Sequence, residues 1–277
     1  MNSGARIGVF SIGLAAYWPQ FEGLRGRLAG YGSFVAGRLS ELGASVVDAG
    51  MVDDQPSALA AGDLFARENV DMVVCYVTTY ATSSQVLPVV LRLKRPVLIL
   101  NLQPTAQLSY GETGTGEWLA NCQACCVPEI SCAFERCGIE FSTVTGLLGL
   151  PTQTVGTVAN EVTHEHPAAI RAWRETEAWV RAGSASRVIE RSRLGFLGHT
   201  YPGMLDMYSD FTQITGAFGA HIELVEMEDL EARVASVTEA ERDAKEEEVH
   251  SMFELAAADS HDPIARAPSR SRWTGHA

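Results

Sequence analysis

Short, continuously apolar runs that alternate with helix-patterned segments constrain this chain most. Asp71-Met-Val-Val-Cys-Tyr-Val-Thr78 has no polar interruption between its ends. A strand of that kind is buried on both faces, as in a parallel sheet covered by helices on each side. Arg6–Gly13 and Pro96–Leu102 read the same way, and Ser45–Ala49 and Glu140–Leu148 add two more strands. Between them, Phe21–Leu42 carries apolar residues at helical spacing (Leu24, Leu28, Tyr31, Phe34, Val35, Leu39, Leu42) and Gly43 stops it. Ser57–Asn69, with Ser57 as N-cap, and Ser84–Leu93 are further helices. Glu117–Cys137 reads as one helix interrupted at Pro128, whose missing donor breaks the ladder. Regular alternation with short links predicts an α/β fold with a doubly wound parallel sheet.

After Gly149 the pattern changes. Pro167–Ile189 reads as a long helix that bridges two domains. A second βαβ unit follows: strand Arg193–Gly198, helix Met207–Phe218, strand His221–Met227, then a charged helix from Glu228 to about Leu255. The expected boundaries are therefore 1–192, 193–258 and an irregular tail, 259–277. One strand–helix–strand–helix unit cannot bury both faces of its sheet. The second domain is thus expected to be incomplete, as if truncated.

At 277 residues the chain can bury a sizeable core without cross-links. Its six cysteines include five within Cys122–Cys137, without paired Cys-x-x-Cys elements or His. Two readings stand: a metal cluster, or small apolar side chains on a helix. No disulfide framework, signal peptide or apolar run of membrane-spanning length is expected, so the protein is placed in the cytoplasm. The net charge of −13 disfavours nucleic acid and an anionic membrane surface as partners. The dense acidic stretch Glu226–Glu248 reads as a solvated helix face.

In an open parallel sheet, ligands bind beyond the carboxyl ends of the strands. After the first strand, Tyr17 and Trp18 can stack on a sugar face or close as a hydrophobic lid; the loop lacks a GxGxxG pattern. After the third, Thr78-Thr79-Tyr80-Ala81-Thr82-Ser83-Ser84 offers hydroxyls to a ligand or to the next helix as caps. At the fourth, Asn101 and Gln103 are amides in an apolar run that need partners, either a ligand or a neighbouring loop. Glu112 sits in a Gly-rich loop, placed to act on a substrate shared with another subunit. In the second domain His199 is the best acid/base or ligand candidate, with a local carbonyl as its other partner.

The Asn-Leu-Gln-Pro strand end, the stretch GETGTGEWLANCQACCVPEI and the segment RLGFLGHTYPGMLDMYSDFTQITGAFGAHIELVEMEDL resemble the L-arabinose isomerase and L-fucose isomerase superfamily, over roughly residues 6–255. The resemblance implies a flavodoxin-like first domain and the start of a second, Rossmann-like α/β domain. It implies aldose–ketose interconversion through an enediol, a manganese-type divalent ion held by two Glu and two His of later segments, and homo-trimers or hexamers with sites shared between subunits. It places the loop of Tyr17 and Trp18 and the strand end with Asn101 and Gln103 toward a neighbouring subunit's monosaccharide, with His199, Tyr201 and Met204 lining the pocket from the second domain. It assigns no metal ligand to this chain, which is expected to be inactive alone. L-arabinose enzymes carry a His in the strand-end motif where this chain reads Asn101-Leu102-Gln103, so L-arabinose is not carried over as the substrate. The other reading of the same residues is a non-catalytic sugar-binding or sensor module.

Overall fold

The computed structural model describes residues 4–109, 111–152, 154–155, 158–198 and 202–253. The chain forms two compact units, 1–190 and 191–277.

The first unit is built on five parallel strands: β1 (Arg6–Ile12), β2 (Ser45–Val52), β3 (Met72–Val77), β4 (Val97–Gln103) and β5 (Phe141–Leu147). Their order is β2-β1-β3-β4-β5. That is the flavodoxin-like arrangement, and its direction reverses between β1 and β3. The helices are α1 (Leu24–Glu41), α2 (Gln55–Arg67), α3 (Ser83–Val90), α4 (Thr115–Ala120), α5 (Val127–Arg136) and, after a two-strand ribbon β6–β7 (Thr154–Val155, Val158–Ala159), α6 (Pro167–Glu190).

Strand alternation divides the core in two. Ile7, Val9, Met72, Val74, Tyr76, Leu98, Leu100 and Leu102 pack against α1 and α6. Phe10, Ile12, Val73, Cys75, Val77, Val97 and Ile99 pack against α2, α3 and α5. Helix α6, expected as a bridge, lies along the first sheet. Ala169, Ala172, Trp173, Thr176 and Val180 are buried there, and Trp173 Nε1 donates to the Leu148 carbonyl at 2.8 Å. Gly146 of β5 permits this approach, since a Cβ there would stand 2.6 Å from the Ala168 carbonyl oxygen.

Local chemistry moves several expected boundaries. The cap of α2 is Asp54, whose side chain accepts from Ser57 N at 2.8 Å; Ser57 is the third helical residue and answers from within the first turn. The single helix expected over 117–137 is α4, a 3-10 turn at Gln123–Cys125 and α5. Pro128 falls in the first turn of α5, where its missing donor costs nothing, so the break precedes it.

In the second unit, β8 (Arg193–Leu197) and β9 (His221–Val225) pair in parallel around α7 (Phe211–Phe218). The charged segment forms two helices, α8 (Met227–Ser236) and α9 (Glu239–Met252), because Thr238 caps the second by accepting from Glu241 N at 3.3 Å. Phe196 and Phe211 meet edge to face at 4.8 Å. Among the described residues of this unit, only Ala220 is buried. The tail expected over 259–277 lies outside the described residues.

Candidate functional site at the carboxyl edge of the sheet

The candidate residues of the first unit lie at the carboxyl edge of the sheet, as parallel strands require. They do not share a face. Tyr17 and Trp18 pack against the α1–α6 side of the core. Asn101 and Gln103 alternate with Leu98, Leu100 and Leu102, and so turn to the α3–α5 side.

Tyr17 ends a 3-10 turn, Ala15–Tyr17, and meets Trp18 and Phe21 edge to face, each at 6.4 Å. Trp18 Nε1 donates to Asp53 Oδ2 at 2.7 Å, and Arg25 Nε donates to the same oxygen at 3.3 Å. Thus the indole's polar atom is satisfied while its ring fills the space beside Gly13 and Met51. Phe21 lies over Gly116 of α4. Burial raises the Tyr17 phenol's pKa, and nearby Cys122, Tyr80 and Cys126 add to the effect. The aromatic turn therefore lies against the stretch from α4 to α5.

The hydroxyls after β3 are used within the protein. Thr78 Oγ1 donates to the Ile12 carbonyl, and Thr79 Oγ1 donates to the Leu119 carbonyl at 2.7 Å. Gln85 Oε1 accepts from Thr82 N at 3.0 Å, which caps α3. Cys122 and Cys126 are buried and belong to the two core clusters; burial pushes the Cys126 thiol up to about 11. Cys125, Cys132 and Cys137 are exposed.

Asn101 is buried, and its Nδ2 donates to Thr145 Oγ1 at 3.3 Å. Gln103 is half-buried, and its carbonyl accepts from Leu148 N at 2.7 Å. Glu112 is exposed. Met204, also exposed, belongs to the second unit. His199 and Tyr201 lie outside the described residues.

Sequence reading missed a polar cluster where α1 meets α4. Arg27 spans Glu117 with Nη1–Oε2 at 2.5 Å and Nη2–Oε1 at 3.0 Å, and its Nε donates to Tyr31 OH at 2.7 Å. Tyr31 OH in turn donates to Asn160. Asn121 Nδ2 donates to the Glu117 carbonyl at 2.9 Å and to Glu117 Oε1 at 3.0 Å. Gln123 Nε2 donates to the carbonyls of Thr78 and Ala120 at 2.9 and 2.8 Å. The available signal was two amides, Asn121 and Gln123, inside an otherwise apolar run.

Three buried side-chain atoms lack a hydrogen-bond partner among the described residues: Asn101 Oδ1, Asn121 Oδ1 and Gln123 Oε1. All three are acceptors from residues at the carboxyl edge. An unmet buried carbonyl costs about 1–3 kcal/mol, so such atoms call for donors from outside the fold. A cavity lies elsewhere. It is a groove of about 470 Å³ between α1 and α6, lined by Phe34, Arg38, Trp173 and Arg174 among others. Arg38 there already stands over the Trp173 ring at 5.3 Å and pairs with Glu41 at 2.8 Å.

The Arg27 hydrogen bond holds the Glu117 carboxyl below its usual 4.5. A depressed carboxylate pKa contributes stability above the unfolded value and loses it as pH falls through the folded value. We expect the thermal midpoint of the chain to fall more steeply below pH 4.5 than that of Glu117→Gln. Acid titrations of the two that superimpose would mean that the Arg27–Glu117 pair adds no stability.

Among the described residues no group of three or more His, Cys, Asp or Glu is disposed to hold a metal ion, so a manganese-type ion finds no fitting ligand set here. No helix among them is long and apolar enough to cross a membrane.

No protein-family model matches the chain, and no curated protein does. Among solved structures it is similar to the fructose-binding periplasmic domain of a hybrid two-component system, with 14% identity and a TM-score of 0.20. That similarity covers 80% of this chain and 53% of the other, so this chain spans about half the length of that structure. The assignment of the fold rests on strand order and direction.

Proposed function

We propose that the chain is the sugar-handling α/β portion of an aldose–ketose isomerase-like protein, with a monosaccharide recognised at the carboxyl edge of its first sheet. The observation that carries the sugar part is the set of three buried, unpaired amide oxygens at that edge. Sugar hydroxyls are donors that satisfy such oxygens, and a polyol supplies several at once. Because these atoms are shut off from water, binding requires a local opening at that edge.

The isomerase part rests on the resemblance in the stretch GETGTGEWLANCQACCVPEI and in the second unit. Enediol chemistry needs a base that shifts a proton between adjacent carbons, and the resemblance assigns the base and the divalent ion to other polypeptide. Within this reading the chain binds and orients sugar, works in the cytoplasm in a homo-oligomer, and does not turn over alone. A non-catalytic sugar sensor is the second reading, favoured because the unpaired oxygens suit binding while no metal-ligand set stands beside them among the described residues.

Calorimetric titration of the chain with L-fucose, D-arabinose and L-arabinose tests the shared claim, with saturable binding of at least one expected. A ketose-formation assay of the protein in its longest natural form, with and without Mn²⁺, separates the readings. Metal-dependent ketose supports the isomerase, and tight binding without ketose supports the sensor. Absence of binding to every sugar would overturn both.

A further inference from the structure

Two cysteines close one turn. The 3-10 turn that follows α4 is capped by Cys122 and ends at Cys125, and Cys125 N donates to the Cys122 carbonyl at 3.1 Å. Residues three apart in such a turn are separated by a rise of about 6 Å, and their side chains eclipse. A disulfide joins Cα atoms about 4.4–6.8 Å apart, so this Cys-x-x-Cys pair stands within its reach. The two thiols differ in access. Cys122 is 4% exposed; its Sγ donates to the Leu119 carbonyl at 3.5 Å and lies 3.8 Å from Thr79 Oγ1. Cys125 is exposed. Burial pushes the Cys122 thiol up, and the Cys125 thiol beside it adds to the rise. Cys126 is held apart from this pair in the other core cluster, where its Sγ donates to the Thr79 carbonyl at 3.6 Å.

We propose that Cys122 and Cys125 form a reversible dithiol–disulfide modification site, oxidised by a hydroperoxide. The site stands whether or not a sugar binds at the same edge. Exposure makes Cys125 the sulfur that meets the oxidant. Its sulfur attacks the terminal peroxide oxygen; an S–O bond forms, the O–O bond breaks, and the thiol proton leaves with the alcohol. Cys125 is then a sulfenic acid. The Cys122 sulfur displaces its hydroxyl; the S–S bond forms, the S–O bond breaks, and the Cys122 proton leaves with the hydroxyl as water. The two thiols together give two electrons to the peroxide. The Leu119 carbonyl loses the Cys122 S–H but keeps Thr79 Oγ1 as donor at 2.7 Å, so the bond forms without orphaning it. The crosslink spans the turn that carries Asn121 and Gln123 and fastens the end of α4 to the approach to α5. A disulfide with one exposed sulfur is of the labile kind that a small thiol reduces again.

The test is treatment of the dilute, folded full chain with tert-butyl hydroperoxide, followed by alkylation of the remaining thiols and tandem mass spectrometry. The peptide that holds Cys122, Cys125 and Cys126 should lose two hydrogens, escape alkylation at Cys122 and Cys125, and keep an alkylated Cys126. Dithiothreitol should restore both thiols. Cys122→Ser and Cys125→Ser should each abolish the bond, and Cys126→Ser should leave it in place. A bond from Cys125 to Cys126 or to any other cysteine overturns the inference. So does a Cys125 that stays reduced, or one that is driven to sulfinic acid with Cys122 still free. If Cys122→Ser does not fold, the mapping of the unaltered chain and the Cys125→Ser control decide.

Discussion

Replacing Asp71 with Ala is expected to destabilise the first unit by about 3–5 kcal/mol, the cost of breaking a buried ion pair from one side. Asp71 precedes β3, with its side chain 4% exposed. It accepts from Arg187 Nη1 at 3.1 and 2.8 Å, and from the Arg6 backbone N at 2.6 Å. One carboxylate thus ties the start of β1, the start of β3 and the last turns of α6. Without it, the Arg187 charge and the Arg6 N–H are left without that partner. The loss should appear as a fall of roughly 6–20 °C in the thermal midpoint. Asp71→Asn retains an acceptor for Arg6 N and should lose less. A fall under about 1 kcal/mol for Asp71→Ala would mean that α6 docks without this clamp.

Phe65→Ala is expected to cost a similar amount, about 3–5 kcal/mol, by leaving a cavity under β1. Phe65 is fully buried, 6.3 Å from Phe10 between ring centroids. It lies so close to β1 that a Cβ on Gly8 would stand 2.8 Å from the ring. Gly8 and Phe65 therefore share one volume. Gly8→Ala alone should cost about 1–3 kcal/mol by overpacking, whereas Gly8→Ala with Phe65→Leu should cost less than the sum of the two singles. Denaturant unfolding of the four chains checks this. Simple additivity would mean that the contact is relieved by backbone movement.

How much of this was legible differs by region. β3 was clear, because six consecutive apolar residues between turns have few other uses, and all six are buried. The break before Pro128 was not, since a proline is equally at home inside the first turn of a helix as before one. Ser57 was read as the cap in place of Asp54 because both side chains take part in the same capping box. At the site, strand-end position gave the shared edge of Tyr17, Asn101 and Gln103. Their division between opposite faces depends on the path of the aromatic turn, which follows from Trp18 reaching Asp53 across 35 residues. Asn121 and Gln123 were hidden among cysteines that drew attention as metal candidates. Their meaning depends on distant partners: Glu117, which holds Asn121, pairs with Arg27 across 90 residues, and Gln123 reaches the Thr78 carbonyl across 45.

The central claim is that sugar is recognised at the carboxyl edge of the first sheet, and not in the groove between α1 and α6. Backbone amide NMR of the isotope-labelled chain, titrated with L-fucose and D-arabinose, tests it most directly. Saturable shifts should gather in residues 13–21, 78–82, 101–105 and 116–126. Shifts gathered instead around Phe34, Arg38 and Trp173, or no saturable shifts at all, would contradict it.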